Sequence, residues 1–174
     1  PWLGEIPKHW EVVQFNHFVS LRHGHQFMQG DFTSEGCKVI KITQLKSDGT
    51  LDTENCDTVS SEKIDSFRDI LIKNGDILMA LTGGTTGKAV RVGEVNEPLL
   101  QNYRVGQFAP SNKKKLTTDF LYWAMKSDVV LGQILFLVSE TGQPNIGKAD
   151  FCRVYLPLPP VNEQEDIVEH IKQG

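Results

Sequence analysis

A chain of 174 residues with 39% hydrophobic and 23% charged residues has the composition of a single globular domain. That excludes a disordered chain, and no apolar run approaches the roughly 20 residues of a membrane helix. The net charge of −4 argues against a nucleic-acid binder only as an average. Seven acids between Asp48 and Asp69 face only Lys63 and Arg68, whereas eight bases between Ile70 and Lys126 face four acids. A basic middle beside acidic stretches can carry a local positive face, and local potential steers a polyanion. Cys37, Cys56 and Cys152 are odd in number and widely spaced, which predicts free thiols in a reducing cytoplasm. The N-terminus lacks the basic and apolar regions of a signal peptide.

In chain order, Trp2 to Trp10 reads as an irregular strap pinned by its aromatics, and residues 15–21 as a short helix. Residues 22–31 form a loop. Residues 39–45 are β-branched and half alternating, which predicts a strand with Lys41 and Thr43 on one face. Ser60 or Ser61 caps a short helix through Phe67. Asn74 and Gly75 turn into a strand over residues 76–82, followed by the glycine-rich turn Gly83, Gly84, Thr85, Thr86, Gly87, Lys88. Two more strands are predicted over residues 89–95 and 103–108. Thr117 or Thr118 caps an amphipathic helix to Ser127, and a second apolar helix spans residues 129–138. A polar loop and a strand lead to Leu156, Pro157, Leu158, Pro159, Pro160, where proline removes amide donors. Asn162 is then the predicted N-cap of a last helix, with Glu165 completing a capping-box pair. That helix stops at Gly174 after about three turns, as if a longer element were cut short. Strands dominate the middle and helices the end, so the predicted class is α+β: a β-rich central sheet with glycine-rich loops. Residues 1–160 form the domain, and residues 161–174 begin a further helix.

The glycine-rich turn resembles a phosphate-cradling loop, but G-x-x-x-x-G-K-S/T fails at two positions. Thr82 stands where the first glycine belongs and Ala89 where the hydroxyl belongs, and the next segment alternates as a strand instead of opening a helix. What remains is a plain hairpin turn, or a loop that sets its amides, Thr82, Thr85, Thr86 and Lys88 against a nucleic-acid backbone. His23 and His25 lack further ligands at metal-site spacing, and no triad is legible. Amide side chains suited to adenine collect on the loops at Gln44, Gln101, Asn102, Gln143 and Asn145. Lys41, Lys88 and Arg104 suit guanine or phosphate.

Several motifs resemble those of one family. Trp2-Leu3-Gly4-Glu5-Ile6-Pro7-Lys8-His9-Trp10 is similar to the entry segment of target recognition domains in the specificity subunits of type I restriction–modification systems. Gly75-Asp76-Ile77-Leu78 followed by residues 82–88 resembles that family's central strand and turn. Gln143-Pro144-Asn145-Ile146 and Leu156-Pro157-Leu158-Pro159-Pro160-Val161-Asn162-Glu163-Gln164 resemble its closing segment, which leads into a spacer helix. The resemblance implies a non-catalytic reader of one half of a split double-stranded DNA target. It implies partners too: modification subunits with S-adenosylmethionine and restriction subunits with ATP and magnesium, the chain itself holding no cofactor. A single recognition domain with a short spacer further implies either a fragment or a half-subunit that pairs with another copy. The absence of an Asn-Pro-Pro-Tyr/Phe methyltransferase motif agrees. Two other readings stay open: an assembly module that does not read DNA, and the recognition domain of a fused restriction–methyltransferase enzyme.

Overall fold

A computed structural model describes residues 4–142 and 145–174, so the predicted contributions of Trp2 and Gln143 lie outside the described residues. In chain order the strands are β1 (Glu11–Gln14), β2 (Val19–His23), β3 (Phe32–Thr33), β4 (Cys37–Ile40), β5 (Asp57–Val59), β6 (Ile77–Ala80), β7 (Ala89–Arg91), β8 (Leu99–Gln101), β9 (Val105–Pro110) and β10 (Tyr155–Leu158). The helices are α1 (Phe15–Phe18), α2 (Thr118–Lys126), α3 (Asp128–Thr141) and α4 (Val161–Gln173). The class is α+β as predicted, with the long helices in the C-terminal half. The chain divides into two compact units: Pro1–Ser20 with Ala109–Gly174, and Leu21–Phe108. The two predicted segments, by contrast, met at Pro160.

The first unit pairs β1 antiparallel to β10, Glu11 opposite Leu158 and Gln14 opposite Tyr155. The outer edge of β10 is satisfied by a side chain. Gln133 on α3 donates to the Tyr155 carbonyl and accepts from its N–H, both at 2.9 Å. Unpaired strand groups are costly when buried, so this carboxamide stands in for a neighbouring strand. Thr117 caps α2 through the N–H of Phe120 at 3.2 Å, as its sequence position predicts. Ser127 caps α3, and Gly142 closes it in the left-handed conformation at φ 64°. Phe120, Leu121, Met125, Val130, Ile134, Phe151, Val154 and Leu156 are buried and form the core of this unit. Among the described residues no single helix is long and apolar enough to cross a membrane.

The second unit holds two four-stranded sheets, ordered β2-β9-β6-β7 and β3-β5-β4-β8. β6 is antiparallel to β7 and β9, whereas β4 and β8 run parallel. Ile40 and Leu99 join a core drawn from both sheets with Leu78, Ala80, Val90 and Val105. Their neighbours Val39 and Leu100 turn the other way, into a second core with Phe27, Cys37 and Val59. Burial on both faces explains why β4 and β8 carry apolar residues in succession.

Several predicted boundaries move; the strands over residues 89–95 and 103–108 become Ala89–Arg91 and Val105–Pro110. The helix over residues 15–21 is a single turn, because Val19 to His23 pairs in the sheet beside β9. The strand over residues 39–45 ends at Ile40, and residues Ile42–Gln44 form a 3-10 turn. There the Gln44 side chain accepts from the Lys41 N–H at 3.0 Å, an interaction that competes with a strand ladder. The helix begun at Ser60 is a 3-10 segment running to Ile70. Asn162 is not an N-cap: α4 starts at Val161 behind Pro160, with no side-chain cap bond.

Candidate nucleic-acid interface

The second unit places its polar loops by register. Ala80, the last residue of β6, pairs with Val105, the first of β9. The connection over residues 81–88 and the turn over residues 102–104 therefore emerge at the same end of one sheet. Backbone bonds join them there, Leu81 N–H to the Arg104 carbonyl at 2.9 Å and Ala80 N–H to the Lys88 carbonyl at 3.0 Å.

The glycine-rich connection closes on itself. Gly83 and Gly87 take φ of 77° and 89°, values that a side chain strains to adopt. The N–H groups of Thr86, Gly87 and Lys88 donate to Gly83, Ala80 and Thr85, all at 2.9–3.1 Å. The Thr86 hydroxyl also donates to the Gly83 carbonyl at 2.7 Å. The Thr82 and Thr85 hydroxyl oxygens are buried, without a hydrogen-bond partner among the described residues. The Thr86 hydroxyl and three of the loop amides are thus spent within the connection, and the Thr82 and Thr85 hydroxyl oxygens are turned from solvent, so the side chain left to reach a nucleic-acid backbone is Lys88. β7 follows instead of a helix, which removes the dipole a phosphate-binding loop uses. Lys88 remains, half-buried, with no ion pair among the described residues.

The turn over residues 102–104 carries the exposed group. Arg104 donates through Nε to the Tyr103 hydroxyl at 2.7 Å, its guanidinium carbon 5.4 Å from that ring's centroid. Nearby, Lys41 lies 4.4 Å from the centroid of the Phe32 ring and pairs with Asp57. Lys41, Phe32, Gln26, Tyr103 and Arg104 line one cleft of about 420 Å³. Ile42 also lines this cleft, and its side chain packs close to Gly83, which ties the glycine-rich connection to the same surface.

Beneath the turn lies a buried polar network. Gln101 is fully buried; its Nε2 donates to the carbonyls of Arg22 and Val105 at 2.9 and 2.6 Å. Its Oε1 accepts from Arg22 Nε and Nη2 at 3.1 and 2.9 Å. Burial lowers the Arg22 pKa, opposed by the charges of Asp76 and Asp69. Gly24 passes so close that a Cβ there would sit 2.1 Å from the Gln101 carbonyl oxygen.

The predicted reading set divides accordingly. Lys41 and Arg104 share one cleft, and the backbone of Lys88 lies at the same end of the sheet as that of Arg104. Gln44 does not join them: it is buried, and its Nε2 donates to the Asn55 carbonyl at 2.7 Å. Asn102 is buried as well, its Oδ1 accepting from the Arg104 N–H at 3.2 Å. Gln44 is bonded into its own turn, whereas Asn102 also lines the cleft of Lys41, Tyr103 and Arg104. Asn145 is exposed and belongs to the first unit. The basic middle is split too, because Lys113, Lys114 and Lys115 are exposed on the first unit. Sequence reasoning missed Tyr103, Phe32 and Gln26. An aromatic beside an arginine just ahead of a strand was the available signal, hidden by placing Tyr103 inside that strand.

The model of the type I restriction modification DNA specificity domain matches residues 7–173. The chain is 28% identical over 173 residues to the type I restriction enzyme MjaVIII specificity subunit of Methanocaldococcus jannaschii, covering 98% of this chain and 40% of that protein. It is 22% identical over 173 residues to the type I restriction enzyme EcoBI specificity subunit of Escherichia coli, covering 97% and 35%. The chain thus spans about two-fifths of the length of these curated relatives. The crystal structure of the HsdS subunit from Thermoanaerobacter tengcongensis superposes with a TM-score of 0.64 at 16% identity, over 98% of this chain and 38% of that one.

Proposed function

Because the chain belongs to the type I restriction modification DNA specificity domain family, we propose that it binds double-stranded DNA sequence-specifically and reads one half of a bipartite target. One observation carries the reading: Lys41 and Arg104 line one cleft with Tyr103 and Phe32, at the end of the sheet where the connection that carries Lys88 also emerges. Cations beside flat aromatic faces are the groups that neutralise phosphates and meet base edges.

The chain performs no catalysis in this reading. Modification subunits holding S-adenosylmethionine, and restriction subunits holding ATP and magnesium, supply the chemistry in the cytoplasm. α4 begins the spacer that joins the reader to those partners or to a second copy of the half-length chain. Its Ile171 is 40% exposed and offers apolar surface to such a neighbour.

Selection from a pool of randomised duplexes at low salt tests the proposal. Enrichment of a short consensus is expected; a pool that stays random through repeated rounds overturns it.

A further inference from the structure

Resting on the DNA-reading function above, we propose that Arg104 reads a guanine through its two terminal nitrogens and that Tyr103 is its positioning residue.

The backbone of Arg104 is held on several sides. Its N–H donates to Asn102 Oδ1 at 3.2 Å and its carbonyl accepts from Leu81 N–H at 2.9 Å. On either side, Tyr103 N–H donates to the His25 carbonyl at 2.9 Å and Val105 N–H to the Asn102 carbonyl at 3.0 Å. The turn stands on fully buried Gln101 and on the bare backbone of Gly24. A side chain mounted on such a turn starts from a fixed point.

The side chain is then aimed by one bond. A guanidinium has five N–H donors in a planar fork. Nε is committed to the Tyr103 hydroxyl at 2.7 Å, which leaves the Nη1 and Nη2 donors at the outer end. Guanine presents two acceptors, O6 and N7, along its major-groove edge, and a pair of parallel donors matches them. Adenine presents an acceptor beside a donor, so one of the two arginine bonds is lost there. No carboxylate competes: Arg104 is exposed and has no ion pair among the described residues. Two other cations of this unit are engaged, Lys38 with Glu97 and Lys41 with Asp57. Pre-orientation also lowers the rotamer entropy lost on binding, which favours a directional base contact over a loose phosphate contact. Lys88, a point charge on a flexible stem, is the corresponding phosphate contact.

The test is the same duplex selection, run with the wild-type chain and with R104A, R104K and Y103F, followed by affinity measurements on the wild-type consensus and its single-base variants. Wild type should show a required guanine. R104A and R104K should lose roughly ten- to hundredfold of the preference at that base pair and keep the rest of the consensus. Y103F keeps the ring and the fold but frees Nε, so the preference should fall severalfold at the same position. Three outcomes overturn the assignment. In the first, R104A keeps the wild-type consensus. In the second, it weakens binding uniformly and reduces the salt slope by about one, the mark of a phosphate contact. In the third, Y103F discriminates as wild type does. A wild-type chain that enriches nothing overturns the DNA-reading function together with this assignment. A wild-type consensus that survives R104A overturns the assignment alone.

Discussion

The carboxamide of Gln164 near the start of α4 reaches the N-terminus of α2, where its Oε1 accepts from the Thr117 N–H at 2.9 Å. Its Nε2 donates to the carbonyls of Lys115 and Pro159 at 2.8 and 2.9 Å, and the residue is fully buried. One side chain thereby satisfies three backbone groups at the junction of two helices. Replacing Gln164 with leucine keeps the volume and strands all three. Each unsatisfied buried group costs about 1–3 kcal/mol, so a loss of roughly 3 kcal/mol is expected. Thermal unfolding should shift down by about 6–12 °C. A midpoint within a degree of wild type would show that the bonds contribute little.

The adjacent Glu163 closes a second link. Its carboxylate accepts from Trp10 Nε1 at 2.9 Å and is bonded to His9 Nε2 at 2.6 Å. The Trp10 bond, and then the His9 bond, hold its pKa below the usual carboxylate value of 4.5. A carboxylate with a depressed folded-state pKa stabilises the protein at neutral pH, and that contribution is lost as pH falls below 4.5 through the folded value. Denaturation midpoints measured from pH 7 to pH 3 should therefore decline less steeply for Glu163→Gln than for wild type in the acidic range. Parallel curves would dismiss the link.

Gln101 and Arg22 form the buried support of the recognition turn. Substitution of Gln101 by leucine removes the acceptor from a half-buried guanidinium and leaves the Arg22 and Val105 carbonyls without their donor. A loss of about 3–4 kcal/mol in urea denaturation is expected. A loss under about 1 kcal/mol would mean that water replaces the amide readily.

Gly24→Ala places a methyl group 2.1 Å from the Gln101 carbonyl oxygen and 2.5 Å from Asn102 backbone atoms. Backbone yields less readily than a flexible side chain, so at least about 1–3 kcal/mol should be lost. Hydrogen exchange should accelerate at the amides of His25 and Tyr103, whose bonds cross this contact. Unchanged protection at both would contradict the close approach.

Charge reversal at Lys88 and Arg104 should abolish retention on DNA at low salt, since both cations face the proposed duplex. If about six phosphates are neutralised, wild-type affinity should fall with salt on a log–log slope near −5. Retention unaffected by the double variant would move the interface elsewhere.

Much of the architecture was legible because it depends on local chemistry. Thr117 and Ser60 cap their helices where hydroxyls precede apolar periodicity, and the glycine-rich segment is the hairpin turn that its failed phosphate-loop pattern implied. Asn162 misled for an equally physical reason. Pro160, with φ fixed near −53°, already sets the entry to α4, and its carbonyl accepts the first helical bond from Gln164. β8 went unread because its apolar pair serves two cores at once and so shows no alternation.

The motifs at the two ends of the chain identified the family by sequence alone, and the structure shows why they occur together: His9 and Trp10 from the first meet Glu163 from the last. Residue type and order were enough for that, as they were for the fold class. Tertiary structure decided which polar residues are free. Gln44, Gln101 and Asn102 carry the same amide group as a base-reading residue, but each is buried and bonded to the chain's own backbone or side chains. An amide has no intrinsic role: whether it satisfies the fold or faces a ligand depends on which backbone groups the packing leaves beside it.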